Sequence, residues 1–287
     1  MYLRMFDPWK SPMCTCPPKY SLAPYTGCGH ACLYCYITSY IPRAFEPRKK
    51  KNFIGVLVRD LKRADKNIPI SMSNSSDPYT PPEKEYRITR AALKIIISHG
   101  FKVLITTKSN LVVRDIDLLK KGGALAMTIT TMDDRIARTI EPKAPLPRER
   151  AEAVRRVVSS GIGAIIRLDP IIPGVNDDYD SLLAVVKTAE KCGASGITAS
   201  TFKPRPDSFK RMIRAFPEHE KAWRELYTQR VGNTLYANKK YRHEIMKIVR
   251  EMCDEHGLTF ATCREGFLSL HTAPSCDGTH MLGAKFI

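Results

Sequence analysis

The stretch PISMSNSSDPYTPPEKEYRITRAALKIIISHGFKVLITTK, residues 69–108, changes its hydrophobic period twice. PISMS (Pro69–Ser73) is a short apolar run of strand length. Pro82–Ser98 follows, with prolines suited to the first turn of a helix and a stop before Gly100. KVLIT (Lys102–Thr106) then returns to the strand pattern. Strand, helix, strand in immediate succession predicts parallel pairing through a right-handed crossover.

The same alternation continues outward. Further strands are predicted at Ala124–Thr130 (ALAMTIT), Ala164–Leu168 (AIIRL) and Gly196–Ser200 (GITAS). Helices are predicted at Val113–Lys121, stopped by Gly122-Gly123, at Pro147–Ser160, stopped by Gly161, and at Asp178–Lys191, ending near Gly193. Five βα units, with one more around a cysteine-rich loop, predict an α/β fold built as a partial or near-complete (β/α) barrel. The reading divides the chain into a Pro-rich, irregular N-terminal extension (1–22), a barrel domain (23–257) and a cysteine-containing C-terminal tail packed on the barrel (258–287). Chemistry in such folds gathers at the C-terminal ends of the strands.

Charge restricts the partners. The 287 residues hold 46 Lys+Arg against 29 Asp+Glu, a formal net charge of +17. That excess suits a polyanion, because cations that neutralise phosphates release condensed counterions; a solvated basic surface is the other reading. Basic clusters lie at Arg48–Lys51 (RKKK), Lys203–Arg214 (KPRPDSFKRMIR) and Lys239–Arg242 (KKYR), with Phe202, Phe209, Tyr236 and Tyr241 among them. This mixture suits a nucleic acid with an exposed base. No apolar run reaches the roughly 18–20 residues of a membrane span, and the N-terminus lacks an apolar signal core. A cytoplasmic monomer without a membrane partner is expected.

Nine cysteines in such a chain point to metal or redox chemistry before disulfides. Three fall in Cys28-Gly-His-Ala-Cys32-Leu-Tyr-Cys35, a C-x3-C-x2-C loop preceded by Tyr25-Thr26-Gly27 and followed by Tyr36. Three thiolates this close can hold three irons of a [4Fe–4S] cube and leave the fourth open. A structural zinc loop with His30 as fourth ligand is the alternative, although the spacing is unusual for zinc.

From about Tyr20 to Gly283 the chain resembles the spore photoproduct lyase-like branch of the radical S-adenosylmethionine (SAM) enzymes, often labelled DNA repair photolyases. The likeness is carried by the cysteine loop, Ser76-Asp77-Pro78-Tyr79, Thr89-Arg90, Thr107-Lys108-Ser109 and Arg114-Asp115-Ile116-Asp117-Leu118-Leu119. It continues in Glu141-Pro142-Lys143-Ala144-Pro145 and Arg167-Leu168-Asp169-Pro170-Ile171-Ile172-Pro173-Gly174. The resemblance implies that Cys28, Cys32 and Cys35 ligate a [4Fe–4S] cluster whose open iron chelates SAM. Reductive cleavage would then yield a 5′-deoxyadenosyl radical that abstracts hydrogen from a substrate. Ser76 and Asp77 would contact the amino-acid part of SAM, Lys108 its carboxylate, Thr130 its ribose or carboxylate, and Tyr36 its adenine or the cluster loop. Asn74, Tyr79 and Arg167 are candidate substrate contacts, Arg167 pairing with Asp169 being the alternative. One departure is plain. Spore photoproduct lyases proper place a cysteine, a hydrogen-atom donor, just before the serine–aspartate step; here Asn74-Ser75 carries no sulfur.

Six cysteines remain. Cys192 and Cys253 lie on helical patterns as small buried hydrophobes. Cys14, Cys16, Cys263 and Cys276 sit near the two chain ends and could bind a second Fe–S cluster, form a zinc site with His271 or His280, or stay free thiols. The reading is therefore a radical SAM enzyme acting on DNA or tRNA, with an electron donor such as ferredoxin or flavodoxin. The alternatives are a radical SAM enzyme modifying a protein, peptide or small metabolite, and a metal-containing nucleic-acid-binding protein without turnover.

Overall fold

The computed structural model describes residues 1–6, 11–72, 75–232 and 234–283. Its centre is one eight-stranded sheet: β1 (Arg4–Met5), β2 (Tyr20–Leu22), β3 (Ile70–Met72), β4 (Val103–Thr107), β5 (Gly123–Thr128), β6 (Ala164–Ile171), β7 (Gly196–Thr201) and β8 (Thr259–Thr262). The spatial order is the sequence order, and every pairing is parallel except the antiparallel edge of β1 on β2. A strand that always pairs with its predecessor winds the sheet in one direction. That is a barrel's progression; among the described residues the edge strands β1 and β8 do not pair.

Alternation along each strand sorts side chains onto two faces. Val103 and Ile105 of β4, with Leu125 and Met127 of β5, belong to the main core shared with the helices. Leu104, Ala124, Ala126 and Ile165 face the other way, into the barrel, where they pack against Met281 and Leu282 of the C-terminal tail. The tail thus fills one end of the barrel interior. The interior positions nearer the strands' C-terminal ends stay open.

The helices supply the outer layer. In α1 (Phe53–Leu61) the buried residues Phe53, Leu57 and Leu61 repeat every four positions. α2 (Ile88–Ser98) buries Ala92, Leu93 and Ile96, and α3 (Pro147–Ser159) buries Ala153, Val154 and Val157. α4 (Tyr179–Lys191) is capped by Asp178, which accepts from the Ser181 N–H at 2.9 Å. α5 (Pro206–Ala215) lies beside the cysteine loop, and α6 (Lys239–Glu255) returns the chain to β8. Cys192 and Cys253 are buried among apolar neighbours, as expected.

Three differences from the sequence reading have physical causes. The helix expected over Pro82–Ser98 is broken at Arg87, whose φ of 49° is left-handed, giving Glu83–Tyr86 and then α2. The helix expected over Val113–Lys121 is a 3-10 turn, Asn110–Asp115, followed by one α-turn, Ile116–Leu119. There Asp115 turns inward to serve a buried ion network. The sheet also extends past the expected barrel limits of 23 and 257, since β2 and β8 lie outside them.

Candidate active site

The cysteine loop crosses the C-terminal end of the sheet, held from several sides. The Cys28 N–H donates to the Ala44 carbonyl at 2.7 Å, Gly29 N–H to Thr80 Oγ1 at 2.8 Å and Leu33 N–H to the Ile140 carbonyl at 2.8 Å. Gly27 precedes it at φ 82°, where a Cβ would stand 2.8 Å from the carbonyls of Ala44 and Glu46. From α5, Arg211 donates to the Leu33 and Cys35 carbonyls and to Thr38 Oγ1, each at 2.9 Å. One guanidinium thus fixes both ends of the second half of the loop.

Beneath the loop lies a cavity of about 490 Å³, lined by Cys28, Cys32 and Cys35 and by residues at the ends of successive strands. Ser76, Asp77, Thr107, Lys108, Thr128, Arg167 and Asp169 are among them. This is where the barrel reading placed the chemistry. Tyr36 and Tyr40 also line it.

Asp77 is the most connected of these. One carboxylate oxygen accepts from the Tyr79 N–H at 2.8 Å and from Thr107 Oγ1 at 2.6 Å. The other accepts from the Lys108 N–H at 2.8 Å and faces His30 Nε2 at 3.3 Å. Burial alone would raise the Asp77 pKa; the facing His30 and these donors outweigh it and hold it at about 2. The carboxylate therefore ties the β3 loop, the β4 loop and the cysteine loop together. Ser76 differs: its hydroxyl is buried and has no hydrogen-bond partner among the described residues. An orphaned buried hydroxyl beside a cavity is what a ligand-binding site leaves open.

Lys108 lies beside the Tyr34 ring, its Nζ 5.4 Å from the centroid. Burial would lower its pKa, but Cys32, Glu141 and Asp77 raise it, so it stays a cation. Burial pushes the Cys28 thiol up to about 12 and raises Cys32 and Cys35 as well. All three are free thiols. Apolar burial alone does not stabilise three neighbouring thiolates, whereas coordination to a metal does.

Not every expected residue reaches the cavity. Thr130 lies past the end of β5, and its hydroxyl donates to Glu141 at 3.2 Å; Thr128 takes the cavity position instead. Tyr79 is buried away from the cavity, its hydroxyl donating to Asp115 at 3.0 Å. Asn74 lies outside the described residues. Arg167 both lines the cavity and pairs with Asp169 at 2.6 Å. Phe202 and Tyr236 are each 1% exposed, and Phe209 packs with Trp223 and Tyr227. Phe202, Phe209 and Tyr236 therefore serve the core, although Phe202 also lines the cavity; of the tyrosines lining it, Tyr40 is exposed, at 48%.

Sequence reasoning assigned no role to several supporting residues. Glu141 pairs with Arg150 at 2.5 Å, both essentially buried, and accepts a hydrogen bond from Tyr34 of the cysteine loop. Glu83 and Asp115 share Arg114, and Arg90 completes that network. Lys203 and Arg242 meet at Glu265. Glu141, Asp115, Arg114 and Arg90 all fall in motifs that carry the family resemblance, which was the available signal.

The chain matches the Radical SAM superfamily over residues 22–186, more than half its length, and it belongs to that superfamily. It is 34% identical over 165 residues to an uncharacterized protein of Methanocaldococcus jannaschii, covering 55% of this chain and 62% of that one, under two thirds of the relative's length. It is 24% identical over 263 residues to the Radical SAM Nalpha-GlyT isomerase of Pseudomonas phage M6, covering 84% of this chain and 53% of the isomerase. Its fold is similar to spore photoproduct lyase complexed with dinucleoside spore photoproduct, with a TM-score of 0.68, 15% identity and coverage of 85% and 75%. Streptococcus suis SuiB bound to precursor peptide SuiA is also similar, at TM-score 0.59, 14% identity and coverage of 84% and 48%.

The chain thus carries a radical SAM domain, and the cofactors of that superfamily are a [4Fe–4S] cluster and SAM. The site fits them: three free thiols on one loop face a cavity within the size range of small-molecule sites, beside an unpartnered hydroxyl and a cationic lysine. Among the described residues no three His, Cys, Asp or Glu converge on one point as around a single metal ion. Cluster ligands take separate corners of a cube, so such convergence is not required of them.

Proposed function

We propose that this enzyme abstracts a hydrogen atom from a nucleic acid held against the basic mouth of the cavity. Cys28, Cys32 and Cys35 would hold the cluster. Ser76 and Lys108 would hold SAM, the hydroxyl donating to its carboxylate or accepting from its ammonium and the lysine pairing with its carboxylate. Bound together, the cluster and SAM supply the radical chemistry. The chain's residues orient and shield it: Asp77 locks three loops around the site, Arg211 fixes the cysteine loop, and Tyr36 covers its end.

The observation that carries the substrate reading is the lining of one cavity. Besides the thiols and Lys108, the lining includes Arg4, Lys19, Arg167, Lys203, Arg205 and Arg264. Cations concentrated where the strands deliver the chemistry suit a phosphate-bearing substrate. The spore photoproduct lyase bound to a dinucleoside photoproduct supports the same class. A ferredoxin or flavodoxin would supply the electron. Anaerobically reconstituted enzyme should form 5′-deoxyadenosine with dithionite, and DNA or tRNA should alter its rate or become modified. SAM cleavage indifferent to either nucleic acid, with no binding at low salt, would sink the substrate reading and leave the cofactor chemistry standing.

A further inference from the structure

Four cysteines from the two chain ends meet on the far side of the same cavity. Cys14 and Cys16 belong to the N-terminal extension, Cys263 follows β8, and Cys276 lies in the tail. Cys16 Sγ and Cys276 Sγ are 3.5 Å apart, across 260 residues of sequence. Cys16 is also within hydrogen-bond reach of Cys14, and Cys263 is close enough to act electrostatically on both Cys14 and Cys276. Cys14, Cys16 and Cys263 line the cavity. None of the four forms a disulfide.

The backbone carrying them is fixed. The Cys263 N–H donates to the Ala199 carbonyl at 2.8 Å, and the Cys263 carbonyl accepts from Ser200 Oγ at 3.1 Å. Thr198 Oγ1 donates to the Cys276 carbonyl at 2.9 Å. Three consecutive residues of β7 therefore hold both C-terminal cysteines. A buried ion pair between Lys19 and Asp277 fastens the N-terminal extension to the tail beside them. Lys19 reaches the Cys16 thiol and Arg167 the Cys263 thiol.

We propose that Cys14, Cys16, Cys263 and Cys276 ligate a second iron–sulfur cluster. Four thiolates are the full ligand set of a [2Fe–2S] or [4Fe–4S] centre. Among the described residues no three ligands converge on one point, as they would around a single zinc ion. The adjacent cations, Lys19 and Arg167, would offset the negative charge of a four-thiolate cluster. With every iron ligated by protein, this centre has no open position for SAM. Its work is to tie the chain ends across the mouth of the cavity, next to Tyr36, which neighbours both Cys35 and Cys263.

The test is metal analysis of anaerobically purified protein: wild type, the Cys28→Ala/Cys32→Ala/Cys35→Ala variant, and that variant with Cys16→Ala and Cys276→Ala added. Wild type should carry about six to eight irons with matching sulfide. The triple variant should keep about two to four and a visible cluster absorbance, and the five-cysteine variant should lose both. Iron absent from the triple variant, zinc in its place, or a Cys16–Cys276 disulfide found by mass mapping would each overturn the proposal. If the triple variant does not fold, wild-type iron decides, and four irons or fewer overturns it. Retention of all iron by the triple variant would instead fault the assignment of Cys28, Cys32 and Cys35, so the two readings fail separately.

Discussion

Ser76 and Asp77 are adjacent in sequence but do opposite work. Asp77 spends its oxygens on Tyr79, Thr107, Lys108 and His30, while the Ser76 hydroxyl is buried with no partner among the described residues. Replacing Ser76 by Ala removes an unsatisfied polar atom, so stability should hold or rise slightly. If the hydroxyl holds SAM, Ser76→Ala should weaken SAM binding about tenfold, the worth of one hydrogen bond near 1.4 kcal/mol. Equilibrium binding to the reconstituted protein checks this; unchanged affinity would take Ser76 out of the site. Arg150 allows a sharper stability prediction. Its guanidinium faces Glu141 inside the protein, and Arg150→Ala would strand that carboxylate. The expected loss is about 3–5 kcal/mol in urea unfolding, with a weaker hold on Tyr34 of the cysteine loop. A loss below about 1 kcal/mol would mean that other groups neutralise Glu141. At this scale the sequence named cavity residues in or just beyond the strands, such as Ser76, Lys108 and Arg167. It misplaced Thr130 because strand length alone does not tell where the chain turns. It could not foresee the saturation of Asp77, because Thr107 and Lys108 lie some thirty residues away.

The elements divide by the strength of their own signals. β4, β5 and β7 are apolar runs bounded by turns, and α3 and α4 carry a helical stripe with caps, so each was legible. β8 was not. Its four residues, TFAT, sit in a segment whose glycines and proline suggest a loop, and only pairing with β7 makes them a strand. What pins that segment is titratable. His271 Nε2 accepts from the Thr262 N–H at 3.0 Å and must be neutral to do so, while the Thr272 and Phe260 backbones also bond. Burial lowers the His271 pKa below its ordinary 6.5. A folded value below the unfolded one means the unfolded state binds the proton first. The stabilisation is therefore present above about pH 6.5 and is lost as pH falls through the folded value. Amide exchange at Phe260–Thr272 should speed up on acidification below that point, and His271→Gln should flatten the response. Exchange independent of pH, after correction for intrinsic rates, would mean that β8 is held by β7 alone.

The whole molecule carries +17, yet much of its basic chemistry is already engaged. Arg90 and Arg114 hold Asp115, Arg150 holds Glu141, and Arg242 and Lys203 hold Glu265. Net charge read from composition therefore overstates what a polyanion would meet. The useful subset is the seven Lys and Arg lining the cavity, of which Lys108 is assigned to SAM and Lys19, Arg167 and Lys203 face Asp277, Asp169 and Glu265. If Arg4, Arg205 and Arg264 each meet one phosphate of a single strand, three counterion equivalents are released. Affinity should then fall about twentyfold between 50 and 200 mM salt. Arg205→Ala should lower the slope of log K against log salt by about 0.7 without changing SAM binding. Tyr40→Ala should weaken binding without changing that slope, because stacking on a base moves no counterions. Fluorescence anisotropy with a single-stranded oligonucleotide, titrated across salt, separates the effects. A steep slope that Arg205→Ala leaves untouched would place the polyanion on the outer basic clusters rather than at the cavity. A slope near zero would remove the electrostatic argument for a nucleic acid, leaving the +17 as surface charge and the radical SAM site in search of a neutral substrate.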